Sequence, residues 1–265
     1  MPDWQAPVPV AILAMGEILA GVAIFVCLAG AALAGLLIFP RFPEHHRQDD
    51  TGAVVRLAAN LFVVMSSLVL GLMVNSARNT FESIDRNVHT FSTDLILLDR
   101  TLRLYGTDAN GARELLTAYV QRVVDTTAND SSTTVVPNKL SELLLNQIDD
   151  RLAALVPADA KRAAAQQSAI QQLQKVIEVR WMLAEQSEGA IPTPLICLLV
   201  AWLMLIFASF GFRAPRNTTV FGTVLLSAAL VTAAIYLIVD METPFSGPIQ
   251  ISPAPLQRAL AELTQ

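Results

Sequence analysis

The stretch LAANLFVVMSSLVLGLMVNSARNTFESIDRNVHTFSTDLILLDRTLRLYG, residues 57–106, changes character without a break. Leu57–Val74 carries no charge and, at 1.5 Å per helical residue, is long enough to cross a hydrocarbon core roughly 30 Å thick. From Phe81 onward the apolar residues narrow to a seam. Phe81, Ile84, Val88, Phe91, Leu95, Leu98, Leu102 and Tyr105 alternate steps of three and four, with polar Asp85, Asn87, Ser92, Asp94 and Asp99 beside them. That is an a/d heptad. No glycine or proline stands between Val74 and Phe81, so one helix is predicted to leave a membrane and enter a helical bundle, with Gly106 as its stop.

Three further runs are apolar enough to span: Ile18–Phe39, Leu195–Phe212 and Val220–Val239. The composition agrees with a membrane protein, being 53% hydrophobic and 15% charged with a mean hydropathy of +0.49. A net charge of −5 lacks the basic footprint that phosphate backbones require, so nucleic acid is not an expected partner. Cys27 and Cys197 both lie in apolar runs, which argues against a disulfide framework or a zinc ribbon. The first run follows Asp3 and Glu17 without Lys or Arg and exceeds a signal-peptide core, so it reads as a retained helix.

The expected fold class is an all-α membrane protein. Four transmembrane helices enclose an extramembrane antiparallel helical bundle between the second and third, and a short C-terminal amphipathic helix follows. The expected divisions are an N-terminal transmembrane hairpin at 1–74 (helices about 11–39 and 54–74), the bundle at 75–193, a C-terminal hairpin at 194–240 and a turn with a terminal helix at 241–265. After the heptad helix, 112–128 is predicted to bury Leu115, Leu116, Tyr119, Val120 and Val123. A third helix over 139–155 is given the stripe Leu140, Leu144, Ile148, Leu152 and Leu155. A fourth, over about 159–188, is given Ile170, Leu173, Ile177, Trp181 and Ala184. Short connections make such helices antiparallel neighbours. The short loops at 41–56 and 213–218 hold Arg41, Arg47, Arg56, Arg213 and Arg216. By the positive-inside rule these loops are cytoplasmic and the bundle is not, in the cell membrane.

The tail VDMETPFSGPIQIS, 239–252, ends the last span on two acids, Asp240 and Glu242. Negative charge at a helix C-terminus is unfavourable by about 0.3–1 kcal/mol, so a partner is expected. Arg78, one turn beyond the second span, and Arg180, above the third, lie on the side where Asp240 emerges. Depth makes Arg78 the better partner for a membrane-edge ion pair. Pro244, Gly247 and Pro248 turn the chain. Ser252 and Pro253 then open a helix with the apolar stripe Leu256, Leu260 and Leu263, which packs on the bundle or lies at the membrane surface.

Two of these stretches carry a family resemblance. PEHHRQDDTGAVVRLAANLFVVMSSLVLGLMV and LIVDMETPFSGPIQISPAPLQRAL resemble the second-helix entry and the closing signature of the bacterial bestrophin-like family. The layout of two spans, a helical domain and two spans covers the whole chain in the family's order. The family takes its name from a suspected distant kinship to bestrophins, which are pentameric chloride channels, so the resemblance implies an ion channel by analogy of fold alone. No calcium-clasp acid run and no neck motif of bestrophins aligns here.

Three constellations invite chemistry. On the fourth span Ser227, Thr232, Tyr236 and Asp240 share a face, extended by Thr219 and Thr223; they suit a pore lining or, more simply, packing between helices. The glycines of the first span, among them Gly21, Gly30 and Gly35, suit close packing. Glu44, His45, His46, Asp49 and Asp50 crowd metal-binding chemistry into one loop, but adjacent histidines aim poorly at a single ion. A solvated loop is the simpler reading, with His45, His46 and Asp50 as a pH-responsive cluster beside it. No catalytic set, cofactor fingerprint or metal site is read from the chain, and no cofactor is expected. Two functions compete: a channel or transport-like homo-oligomer in the lipid bilayer, and a non-conducting scaffold or sensor that acts through a protein partner.

Overall fold

In the computed structural model, residues 10–38, 49–129, 139–186, 191–211, 217–242, 245 and 248–265 are described. Among them there are helices and turns but no strand. The helices are α1 (Val10–Ile38), α2 (Asp49–Tyr105), α3 (Asn110–Asn129), α4 (Lys139–Ala153), α5 (Ala160–Gln186), α6 (Thr193–Gly211), α7 (Thr218–Met241) and α8 (Ala254–Leu263). Four of them, α1, α2, α6 and α7, are long and apolar enough to cross a membrane. The chain is an all-α membrane protein.

α2 is one helix of 57 residues, running unbroken from the apolar stretch into the heptad. It ends where the sequence predicts, because Gly106 takes φ 111°, a conformation that side chains with a Cβ resist. A 3-10 turn, Thr107–Ala109, then leads into α3.

The contacts divide the chain into two compact units. One comprises Ala11–Asn79 and Ala190–Glu242, which hold α1, the first part of α2, α6 and α7. Its core is small: Leu28, Ala32, Met73, Ala77, Leu199, Leu203, Ile206, Phe207, Ala228, Ile235 and Ile238. Only 17–22% of the residues in each spanning window are buried, and Leu57, Leu61, Val64, Leu68, Leu72, Leu226 and Leu230 face outward. Such apolar exteriors suit lipid, where helices associate by close packing and not by escape from water. The closeness is visible at Gly35, where a Cβ would collide with the backbone carbonyl of Ala208 on α6. At Gly21 a Cβ would come within 3.5 Å of the Tyr236 ring of α7, whereas Gly30 has nothing within 4 Å. The close approach therefore belongs to particular glycines of α1 and not to its whole small-residue face.

The other unit holds the later part of α2, α3, α4, α5 and α8. Ile84, Val88, Phe91, Leu95, Leu98, Leu102 and Tyr105 are all buried, so the seam of α2 is filled by the chain's own helices. Leu116, Tyr119, Val120 and Val123 of α3 meet it.

The expected stripes of α4 and α5 need correction at Leu140 and Trp181. On α4 the buried positions are Ser141, Leu145, Ile148 and Leu152, while Leu140 is 46% exposed. On α5 they are Ala169, Leu173, Val176, Val179, Arg180 and Leu183, while Trp181 is 51% exposed. The other large members of both stripes meet the core: Ile148, Leu152 and Leu173 are buried, and Leu144, Leu155, Ile170 and Ile177 pack against it. The Asp159 carboxylate accepts from Arg162 N at 2.7 Å and starts α5, and Gln166 Nε2 donates to the carbonyls of Leu152 and Leu155 at 2.7 and 3.0 Å. These bonds satisfy helix-end groups that would otherwise lack partners.

Candidate functional site

In the membrane unit, the polar side chains of α2 and α7 are treated differently by the fold. Residues 60, 67, 71, 75 and 78 of α2 fall on one side of the helix, given 3.6 residues per turn. That side carries Asn60, Ser67, Gly71, Asn75 and Arg78, all exposed. Ser67 satisfies its hydroxyl locally by donating to the Val63 carbonyl at 2.8 Å. The sequence pattern does not mark Asn60 and Asn75, because an isolated carboxamide in an apolar run does not disturb its periodicity.

The α7 face turns the other way. Thr232 is 8% exposed, Asp240 is 1% exposed and both are packed within the unit. Tyr236 is half-buried beside Gly21 of α1, and Ser227 is half-buried. Thr219 and Thr223 are exposed, with Thr223 Oγ1 donating to the Thr219 carbonyl at 2.9 Å. Asn217 caps the helix by accepting from Val220 N at 2.8 Å.

At the other end of α7 the carboxylate of Glu242, 7% exposed, accepts from the backbone N–H of Ile191 at 3.1 Å. Ile191 lies two residues before α6, whose N-terminus carries partial positive charge. The acid that is unfavourable at its own helix end is thus placed beside a favourable one. Arg78 is exposed in this same unit. His45 and His46 lie outside the described residues; Asp50 is in the first turn of α2. No group of three His, Cys, Asp or Glu suited to a metal occurs among the described residues.

In the helical unit the strongest polar constellation surrounds Asp99, which is 2% exposed. Its two oxygens accept from Arg103 Nε at 2.6 Å and from Arg113 Nε at 2.8 Å. Arg103 Nη2 continues to the Glu262 carbonyl in α8 at 2.7 Å. One carboxylate therefore links α2, α3 and α8. A second link joins Arg162 of α5 to Asp108 at 3.0 Å, with the guanidinium 5.8 Å from the centre of the Tyr105 ring. A third joins Asn87 Nδ2 to Gln186 Oε1 at 2.8 Å.

The sequence pattern treats Asp99 as a solvated flank, since a charged residue beside a seam normally points outward. Its partners lie four and fourteen residues away, and only the four-residue spacing to Arg103 is a local signal. Open clefts of ≈ 470 Å³ and ≈ 430 Å³ flank α3, the first lined by Glu114, Gln147, Asp150 and Arg151 and the second by Asn110, Arg113, Thr117 and Leu263.

Tyr119 is 1% exposed and meets Phe91 edge-on at 6.5 Å between ring centres. Burial pushes its phenol up to about 12, with the Arg180 guanidinium pulling the other way.

The sequence profile of a family described as a bestrophin-like domain matches residues 26–256 of this chain. No curated protein matches it. No solved structure matches it either.

Proposed function

The chain belongs to the bestrophin-like family, and on that premise we propose that it assembles as a homo-oligomer in the cell membrane and passes small ions, with anions favoured by analogy to bestrophins. The observation that carries this reading is the exposed polar line Asn60, Ser67, Asn75 and Arg78 on a spanning helix. A carboxamide facing hydrocarbon loses its hydrogen bonds, which costs several kcal/mol for each unsatisfied group. Packing against a second copy, or a water-filled path between copies, restores them.

The heptad of α2 does not serve this assembly, since its members are buried by the chain's own bundle. Ser227, Thr232 and Tyr236 serve it less well than α2 does, because α7 turns them towards its neighbours. Their role in this reading is packing. The positive-inside rule, applied to the arginine-bearing loops, supports a non-cytoplasmic helical domain. Arg78 pairs with Asp240 or Glu242 at the membrane edge, and the protein acts without catalysis of its own.

Liposomes containing the purified protein test the reading. Anion flux is expected, with Asn60→Leu and Ser67→Leu changing its rate by at least tenfold. Absence of flux in the unmodified protein, or purely monomeric protein in native mass measurement, would sink it. Asp240→Asn tests the ion pair: unchanged stability in detergent would rule the pair out.

The continuity of α2 favours one second reading, a non-conducting sensor or scaffold whose partner protein responds to the bundle. Failure to recover any stable partner by crosslinking in native membranes would count against it.

A further inference from the structure

Arg180 is a buried charge that has no counter-ion among the described residues. It occupies the seam of α5 between Val176 and Leu183 and is 5% exposed. Its Nη2 is buried without a hydrogen-bond partner. Among the described residues no carboxylate forms an ion pair with it. The buried acid of the same core, Asp99, is held by Arg103 and Arg113 instead.

The neighbours make the site more positive, not less. Asn87 with Gln186, and Tyr105 with Arg162, align α5 antiparallel to α2, which sets Arg180 level with the Phe91–Leu95 turn. Phe91 and Leu95 are apolar and buried there, and the Ser92 hydroxyl already donates to the Val88 carbonyl at 2.9 Å. Asp94, on the same turn, is half-exposed and interacts with Lys175. From α3 come the Tyr119 ring and, one turn on, Arg122, whose Nε is also buried without a partner.

A buried lysine can shed its proton, but a guanidinium cannot. An unpaired one in an apolar core is strongly unfavourable, and an anion is what relieves it. Arg180 is only 5% exposed, which excludes a bulky ligand. A single guanidinium at the centre balances one negative charge, and apolar walls favour an anion that sheds its water readily. We propose that Arg180, with the Tyr119 hydroxyl as a second donor, holds a small monovalent anion such as chloride inside the helical bundle.

The site is independent of conduction, because its readout is stability. Thermal unfolding of the full chain in detergent is compared in sodium chloride and sodium gluconate at constant ionic strength. A saturable rise of at least about 3 °C with chloride is expected. Arg180→Met abolishes the chloride dependence, Tyr119→Phe moves its midpoint to higher chloride, and exposed Arg100→Gln leaves it unchanged. Equal melting in both salts, or full chloride dependence in Arg180→Met, overturns the site. Should Arg180→Met fail to fold, anomalous diffraction from bromide-soaked crystals of the unmodified protein decides. A bromide at Arg180 supports the site and its absence there overturns it. Chloride stabilisation without flux in liposomes would leave this site standing while removing the channel.

Discussion

At Gly35 the packing of α1 against α6 leaves no room for a methyl group, because the obstructing atoms are backbone and cannot rotate aside. Gly35→Ala is expected to destabilise by about 1–3 kcal/mol, the usual range for an overpacked core. Gly30→Ala, with open space around it, is expected to be neutral or to gain about 0.5–1 kcal/mol from helix propensity. Thermal unfolding of the two variants in the same detergent separates these outcomes. Tyr119 offers a test in pH. Its folded phenol keeps its proton up to about 12, while an unfolded tyrosine loses it near its ordinary value of 10.0. The folded state therefore binds the extra proton, and the stability present below pH 10 declines as pH rises towards 12. Tyr119→Phe should show a shallower decline over that window in denaturant titrations at fixed ionic strength.

The helices differ in how plainly the sequence reveals them. α2 is legible because its seam contains large apolar residues at every step, with polar residues on both flanks and a glycine at the end. α4 is not, because Leu140, Leu143, Leu144 and Leu145 offer several overlapping stripes that share Ile148 and Leu152. In α5 the pattern misleads for a different reason. Periodicity assigns charges to the outside, so Arg180 cedes its seam position to the apolar Trp181 until packing shows otherwise. The terminal helix is legible from Leu256, Leu260 and Leu263, the first and last of which are 3% exposed and the second partly buried. What holds it polar-side is not legible, because the Arg103 bond to the Glu262 carbonyl spans most of the chain. Arg103→Ala is expected to raise amide hydrogen exchange in α8 at least tenfold while leaving α4 unchanged. Equal protection of α8 in both proteins would show that apolar contact alone holds it.

On the scale of the molecule, the outward-facing leucines and valines of the spanning helices need a solvent other than water. Cys27 and Cys197 report on this directly, since both thiols are free and exposed on the isolated chain. In native membranes neither is expected to react with a membrane-impermeant maleimide, and both should react once the protein is unfolded in detergent. Labelling of either in intact membranes would move its helix out of the bilayer.

The placement of α8 carries a consequence for how the protein is made. The helical unit joins residues before α6 to residues after α7, so its last member is synthesised only after two more membrane crossings. A nascent chain that skipped one of them would deliver α8 to the wrong face of the bilayer, leaving the core without Leu256 and Leu263 and Arg103 without the Glu262 carbonyl. Docking of α8 on the helical unit therefore requires both intervening crossings to have been made. Chains with a missed crossing would expose their core to the proteases that police each compartment.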